Sequence, residues 1–185
     1  MAPAGRSGLA RRIAGFGRRL TDAAVRWMTC VLGRSDTGPL GIYCLKASIV
    51  AMVPSALVST FVVMTHLALD PQATWRRAPV PEVSLATLLD MVIIAPLVEI
   101  ALMACLIEGL RLLVHDRTRI ALVCTVVMAG LHGLFSVGWG LSVAWTFFVL
   151  ANAYLIWRRR GRAFAAASVP HALINLSMFL VIAAP

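Results

Sequence analysis

The residues of this chain that could do chemistry are few, and they sit where polar groups are expensive. Glu99 lies within Ala95 to Arg111, APLVEIALMACLIEGLR, a stretch otherwise of membrane-grade apolar residues, and the next basic residue is Arg111, twelve positions on. A carboxylate at that depth with no neighbouring cation marks a functional site whose partners must come from elsewhere in the chain. His132 lies in a second apolar run, and His171 and Asn175 lie four apart in a third. Such a set could exchange protons inside an apolar layer. Its blander use is interhelical hydrogen bonding, the ordinary role of a lone buried His or Asn.

Depth separates these readings. Glu99 is 12 residues from Arg111, His132 is 13 from Arg119, and Asn175 and His171 are 13 and nine from Arg162. The three arginines close the basic ends of their apolar runs. At 1.5 Å per residue all four polar groups lie about 13–20 Å from one boundary. They share a layer on three helices, and His171 and Asn175 share a helix face. Glu108, nine residues beyond Glu99, is half a turn out of phase and pairs with Arg111 or snorkels. Asp90 is likewise out of phase, near the other end of the same run.

The elements that must position these groups are transmembrane helices. The chain has 185 residues, is 60% hydrophobic and 14% charged, and has a mean hydropathy of +0.86. Its apolar residues come in long runs, which predicts an all-α, polytopic transmembrane helical bundle. Five spans are expected, at about 47–69, 83–113, 120–137, 141–157 and 163–184. A Gly-rich turn around 138–140 would separate the third from the fourth, and a three-proline loop, 70–82, follows the first. Residues 47–185 form the bundle, with 83–184 as its motif-bearing core. Residues 1–46 form a basic segment whose Leu9, Ile13, Phe16, Leu20, Ala24, Trp27 and Val31 recur at helical spacing between arginines, an amphipathic interfacial helix.

The net charge is +9, and nucleic acid is a usual partner for so basic a chain. Here 15 of the 17 basic residues fall in segments that a cytoplasmic N-terminus would place inside, so the positive-inside rule accounts for the charge. The expectation is a multi-pass inner-membrane protein with an anionic leaflet as partner and no nucleic acid. The four Cys have no metal spacing and predict no disulfide. Arg11-Arg12 has no closely following apolar segment or small-residue cleavage site, which argues against a cleaved signal peptide. Trp27, Trp75, Trp139 and Trp157 fall at expected boundaries and read as interface anchors.

Two prolines sharpen the candidate site. Pro96 is three residues before Glu99, and Pro170 immediately precedes His171. Each removes a backbone hydrogen bond, a break tolerated in a membrane only where protein or a watery cavity satisfies the freed carbonyl. With these residues in place the chain resembles the CPBP family of intramembrane proteases, also called the ABI or CAAX prenyl protease-like family. The family pattern is Glu-Glu-x-x-x-Arg, Phe-x-x-x-His and His-x-x-x-Asn on successive helices. Here Pro96 to Ala104, PLVEIALMA, aligns with the first motif at Glu99. Met128 to His132, MAGLH, aligns with the second, with Met128 in place of Phe, and His171 to Asn175, HALIN, matches the third in full. Ile100 and Ala104 stand where the second glutamate and the arginine are expected. Those positions are four apart on one face, so the double change removes an ion pair as a unit and leaves no bare charge.

The resemblance implies an endopeptidase acting within or near the bilayer on a membrane-embedded or lipidated peptide. Glu99 would be the general base on a water shared with His132, and His171 and Asn175 would donate to the oxyanion. No cofactor is expected on that reading. An older view of the family makes it zinc-dependent, with Glu99, His132 and His171 as ligands and an open fourth position. The non-enzyme alternative is a catalytically degenerate member that binds a membrane peptide, serves in immunity or acts as a scaffold. A transporter fits less well, because the polar relay is short and no inverted repeat is present.

Overall fold

The computed structural model describes residues 15, 19, 22–28, 30, 32, 38–69 and 82–184. The chain divides into two units, Met1–Ser35 and Asp36–Pro185. In the first, every described residue is helical, within the segment whose spacing predicts an amphipathic helix. The other positions of that helix lie outside the described residues, as do residues 70–81 of the three-proline loop with Trp75.

The second unit is all-α, with no strand among the described residues. Its helices are α1 (Leu40–Leu69), α2 (Leu85–Arg111), α3 (Arg117–Gly133), α4 (Val137–Trp157) and α5 (Ala163–Ala183), with a 3-10 turn at Arg158–Arg160. Four of them, α1, α2, α4 and α5, are long and apolar enough to cross a membrane, which makes this a multi-pass membrane protein. Helix α3 has 17 residues. At 1.5 Å per residue it reaches about 25 Å, short of a hydrocarbon core of about 30 Å. The five expected segments are therefore five helices, of which four have full spanning length.

Helix α1 begins at Leu40 instead of near Ala47. The Tyr43 N–H donates to the Pro39 carbonyl at 3.2 Å and closes the first turn. Lys46 does not stop the helix, because it lies on the exposed side while Tyr43, Cys44 and Ala47 face inward. A long basic side chain on that side can carry its charge back toward water.

Helix α4 is the centre of the bundle. It is apolar all round, the pattern of a helix with neighbours on every side. More than half of its 21 residues are buried, almost continuously from Thr146 to Trp157. Trp157 is among them, so it is a core residue and not an interface anchor; its ring meets Tyr43 edge-on at 5.3 Å between centroids. Two polar ties bind α4 to α1. The Ser55 and Thr146 hydroxyls are 2.9 Å apart, and Trp145 Nε1 donates to the Val50 carbonyl at 2.8 Å. Val50 is four residues before Pro54, whose missing N–H would have been that carbonyl's helical donor.

The glycines near 138–140 are not the turn between α3 and α4. That turn lies at Leu134–Ser136, and Gly138 and Gly140 belong to α4. A Cβ at Gly140 would stand 2.6 Å from the Ala129 carbonyl oxygen and 2.9 Å from the Gly133 Cα. Glycine is thus needed there for close helix approach, which carries association where lipid offers no hydrophobic drive.

Candidate active site

Glu99 is presented by a helix that changes its winding just before it. Helix α2 starts at Ser84, whose hydroxyl accepts from the Thr87 N–H at 3.1 Å and caps the first turn. From Asp90 to Ile94 the turn widens to π geometry, and the Ala95 N–H donates to the Asp90 carbonyl, five residues back. The next donor in that register would be Pro96, which has none. The Met91 carbonyl is left to find a donor outside its helix. Asn175 of α5 supplies it, with Nδ2 2.8 Å from the Met91 oxygen. Since a carbonyl only accepts, this contact fixes which end of the Asn175 amide points at α2.

One turn of α-helix beyond Pro96, the Glu99 carboxylate meets two imidazoles from two other helices. Its Oε1 is 3.7 Å from His132 Nε2 of α3, and its Oε2 is 3.3 Å from His171 Nε2 of α5. The contact with His171 is close but not in hydrogen-bond alignment, and Oε2 is buried without a hydrogen-bond partner. No arginine or lysine pairs with Glu99 among the described residues. The side chain of Glu99 is 26% exposed, against 13% for His132 and 7% for His171. Glu99 is therefore the most exposed of the three side chains, and the two imidazoles are the more buried.

Each ring is held by its surroundings. His132 Nδ1 is 2.8 Å from the Met128 carbonyl, one turn back on α3. That oxygen can only accept, so Nδ1 carries a proton and the Nε2 edge is turned to Glu99. Phe147 of α4, 1% exposed, lies between the two histidines, with ring centroids 5.1 Å from His132 and 5.6 Å from His171. Trp139 meets His132 edge-on at 4.9 Å, so it lines the site as well as facing outward. His171 is buried, and its Nδ1 has no hydrogen-bond partner. Offset and edge-on aromatic contacts of this kind fix ring orientation without adding a titratable group.

The structure thus brings Glu99, His132 and His171 together on α2, α3 and α5. Asn175 is placed beside the same stretch of α2, with its amide on Met91. Ile100 is fully buried, on one face with Pro96, Met103 and Ile107. A second glutamate at that position would be forced into apolar packing, so the absence of its arginine partner at Ala104 is consistent with the local environment. Among the described residues, no group of three His, Cys, Asp or Glu is arranged to hold a metal ion.

Sequence reasoning missed three contributors. Phe147 gave no distinguishing signal in its apolar run, and Trp139 read as an interface anchor. The Met91 carbonyl could have been found, since Pro96 must orphan some carbonyl upstream, but which one depends on a π turn that periodicity does not reveal.

Glu108 faces away, as its phase requires. Its carboxylate accepts from Arg158 Nε at 2.7 Å and Nη2 at 3.0 Å, from Arg111 Nη1 at 2.8 Å, and from the Tyr154 hydroxyl at 3.4 Å. The hydrogen bonds from Arg158 to this carboxylate hold the guanidinium pKa above its ordinary value.

No protein-family model, no curated protein and no solved structure matches the chain.

Proposed function

We propose that this protein is an intramembrane endopeptidase of the CAAX protease-like type, in which Glu99 activates a water molecule. The observation that carries the reading is the Glu99 carboxylate facing two imidazole Nε2 atoms at 3.7 and 3.3 Å, on a side chain 26% exposed that pairs with no arginine or lysine among the described residues. A structural carboxylate would be neutralised by a cation. Glu99 faces groups that accept and release protons instead.

In the proposed reaction a water lies against Glu99 and His132. Glu99 takes its proton as the oxygen attacks a peptide carbonyl carbon. The oxyanion is held by His171 and by the amide hydrogen of Asn175 that is not engaged with Met91. As the tetrahedral intermediate collapses, the carbon–nitrogen bond breaks and Glu99 returns the proton to the leaving amine. The substrate is a peptide embedded in the bilayer or anchored to it by a lipid, entering from the membrane side or the cytoplasmic side. A zinc ion on Glu99, His132 and His171 would make Glu99 a ligand and leave no separate base, so the reaction is written without one. The distribution of 15 of 17 basic residues favours a cell membrane location with the N-terminus in the cytoplasm.

One observation favours a second reading. Ile100 and Ala104 occupy the positions of the family's glutamate–arginine pair, and a protein without turnover could bind a membrane peptide with the same residues. Turnover of a lipid-embedded peptide library decides between them, using wild type, Glu99→Gln and His171→Ala, with and without chelator. The protease reading expects cleavage by wild type alone, indifferent to chelator. Loss on chelation and recovery with zinc would replace the metal-free mechanism. No cleavage by wild type, on peptides that an intact family member cuts, would leave the binding protein.

A further inference from the structure

At the basic end of the bundle the C-terminus of α2, the loop after it, the start of α3 and the end of α4 enclose a cavity of about 220 Å³. Arg111, His115, Arg117, Arg158 and Arg159 line it. Its apolar wall includes Ile120 and Leu155, both buried. None of these residues belongs to the Glu99 site.

The charge of this cavity is only partly compensated. Glu108 is bonded to Arg111 and Arg158 together, one carboxylate against two guanidiniums. Asp116, next in sequence to His115, caps the Thr118 and Arg119 N–H groups and pairs with Arg119 at 3.3 Å. Arg117 and Arg159 have no carboxylate partner among the described residues. Four guanidiniums around one concave space, facing one carboxylate between them, suit a ligand with several acceptor oxygens and negative charge. Phosphate, like carboxylate, takes guanidinium forks in pairs, and its additional oxygens let it meet several arginines at once.

The immediate neighbourhood says which phosphate. Leu112 and Leu113, between Arg111 and the cavity residue Val114, are 83% and 81% exposed. These leucines adjoin two cavity residues along the chain, and an exposed apolar pair beside a basic cavity suits a ligand that carries an apolar tail. A phospholipid supplies that tail in its acyl chains. Basic pockets between transmembrane helices at the membrane surface are places where anionic headgroups bind.

We infer that this cavity binds the phosphate headgroup of an anionic membrane phospholipid, with Arg117 and Arg159 as its uncompensated anchors and Leu112 and Leu113 against the acyl chains. The inference stands apart from the protease reading, since it uses none of the same residues.

The test is lipid binding by the full-length protein in nanodiscs of phosphatidylcholine doped with phosphatidylglycerol or diphosphatidylglycerol, read by native mass spectrometry and by thermal midpoint. Wild type should retain the anionic lipid over phosphatidylcholine and melt higher with it. The Arg117→Ala/Arg159→Ala pair should lose at least about tenfold in retention, since each guanidinium–phosphate contact is charge-assisted. These two arginines are chosen because neither pairs with Glu108, and the Arg117→Lys/Arg159→Lys pair controls for folding by keeping the charge. Equal retention of anionic and zwitterionic lipid, or retention unchanged in the alanine pair, overturns the site. Inorganic phosphate that raises the midpoint as much as the lipid does, and displaces it at millimolar concentration, overturns the lipid as occupant.

Discussion

Glu99 and Glu108 are the same residue type on one helix, nine positions apart, and the structure treats them in opposite ways. Glu108 sits at the basic end of α2 with both oxygens engaged by Arg111 and Arg158. Glu99 sits deeper, faces two histidines, and has one buried oxygen without a hydrogen bond. A carboxylate whose lone pairs are all committed to arginines is a fastener. A carboxylate beside imidazoles, with no arginine on it, is available to a substrate or a water. The difference lies in the neighbours and not in the residue, and it separates scaffold from candidate site within a single helix.

Removing each carboxylate is the strongest way to break that comparison. Glu99→Gln keeps the shape and removes the base, so turnover in the peptide-cleavage assay should fall by about 10²–10⁴-fold, with the thermal midpoint close to wild type. Next in size is Asn175→Ala, which leaves the Met91 carbonyl without its donor. An acceptor left unsatisfied away from water costs about 1–3 kcal/mol, and loss of the oxyanion donor should lower turnover by about 10²–10³-fold. Unchanged turnover would remove Asn175 from the oxyanion site, and an unchanged midpoint would show that the π turn holds without its donor.

Glu108→Gln should do the reverse of Glu99→Gln. It should lower the thermal midpoint by a few degrees and leave turnover per folded molecule intact, because the arginines lose their charged partner at a half-exposed site. A loss of turnover comparable with that of Glu99→Gln would erase the distinction between the two carboxylates. The smallest effect is expected at Trp145→Phe, which removes the donor to the Val50 carbonyl, a hydrogen bond of about 1 kcal/mol, together with part of the indole's packing. Adding Pro54→Ala should recover the hydrogen-bond part of that loss, because residue 54 then supplies the N–H itself; a double-mutant cycle in unfolding free energy measures the coupling.

Much of this arrangement is legible in the sequence because charge and depth are. The apolar runs mark every helix, and the arginines that end them set a ruler on which Glu99, His132 and His171 fall at one level. What the sequence does not carry is the consequence of crossing geometry. Gly138 and Gly140 look like a turn, yet Gly140 is where α4 touches the α3 backbone. Lys46 looks like the end of a segment, yet it rides on the outer side of α1. Trp157 looks like a boundary residue but is fully buried. In each case composition is the same for both outcomes, and only the neighbouring helix decides. The oxyanion role expected of Asn175 meets a similar limit, since the π turn that claims one of its amide hydrogens follows from where Pro96 falls relative to a widened register.

The carbonyls released by Pro54 and Pro96 have a consequence for how the helices find their alignment. An apolar helix is nearly uniform along its length, and a neighbour can slide by a turn, 5.4 Å, with little change in packing. A carbonyl with no partner in its own helix is a landmark at one height only. Trp145 reaches the landmark on α1 and Asn175 the one on α2. Two prolines therefore act as registration marks, setting the vertical position of α4 on α1 and of α5 on α2, and through the second mark they set the height at which His171 meets Glu99.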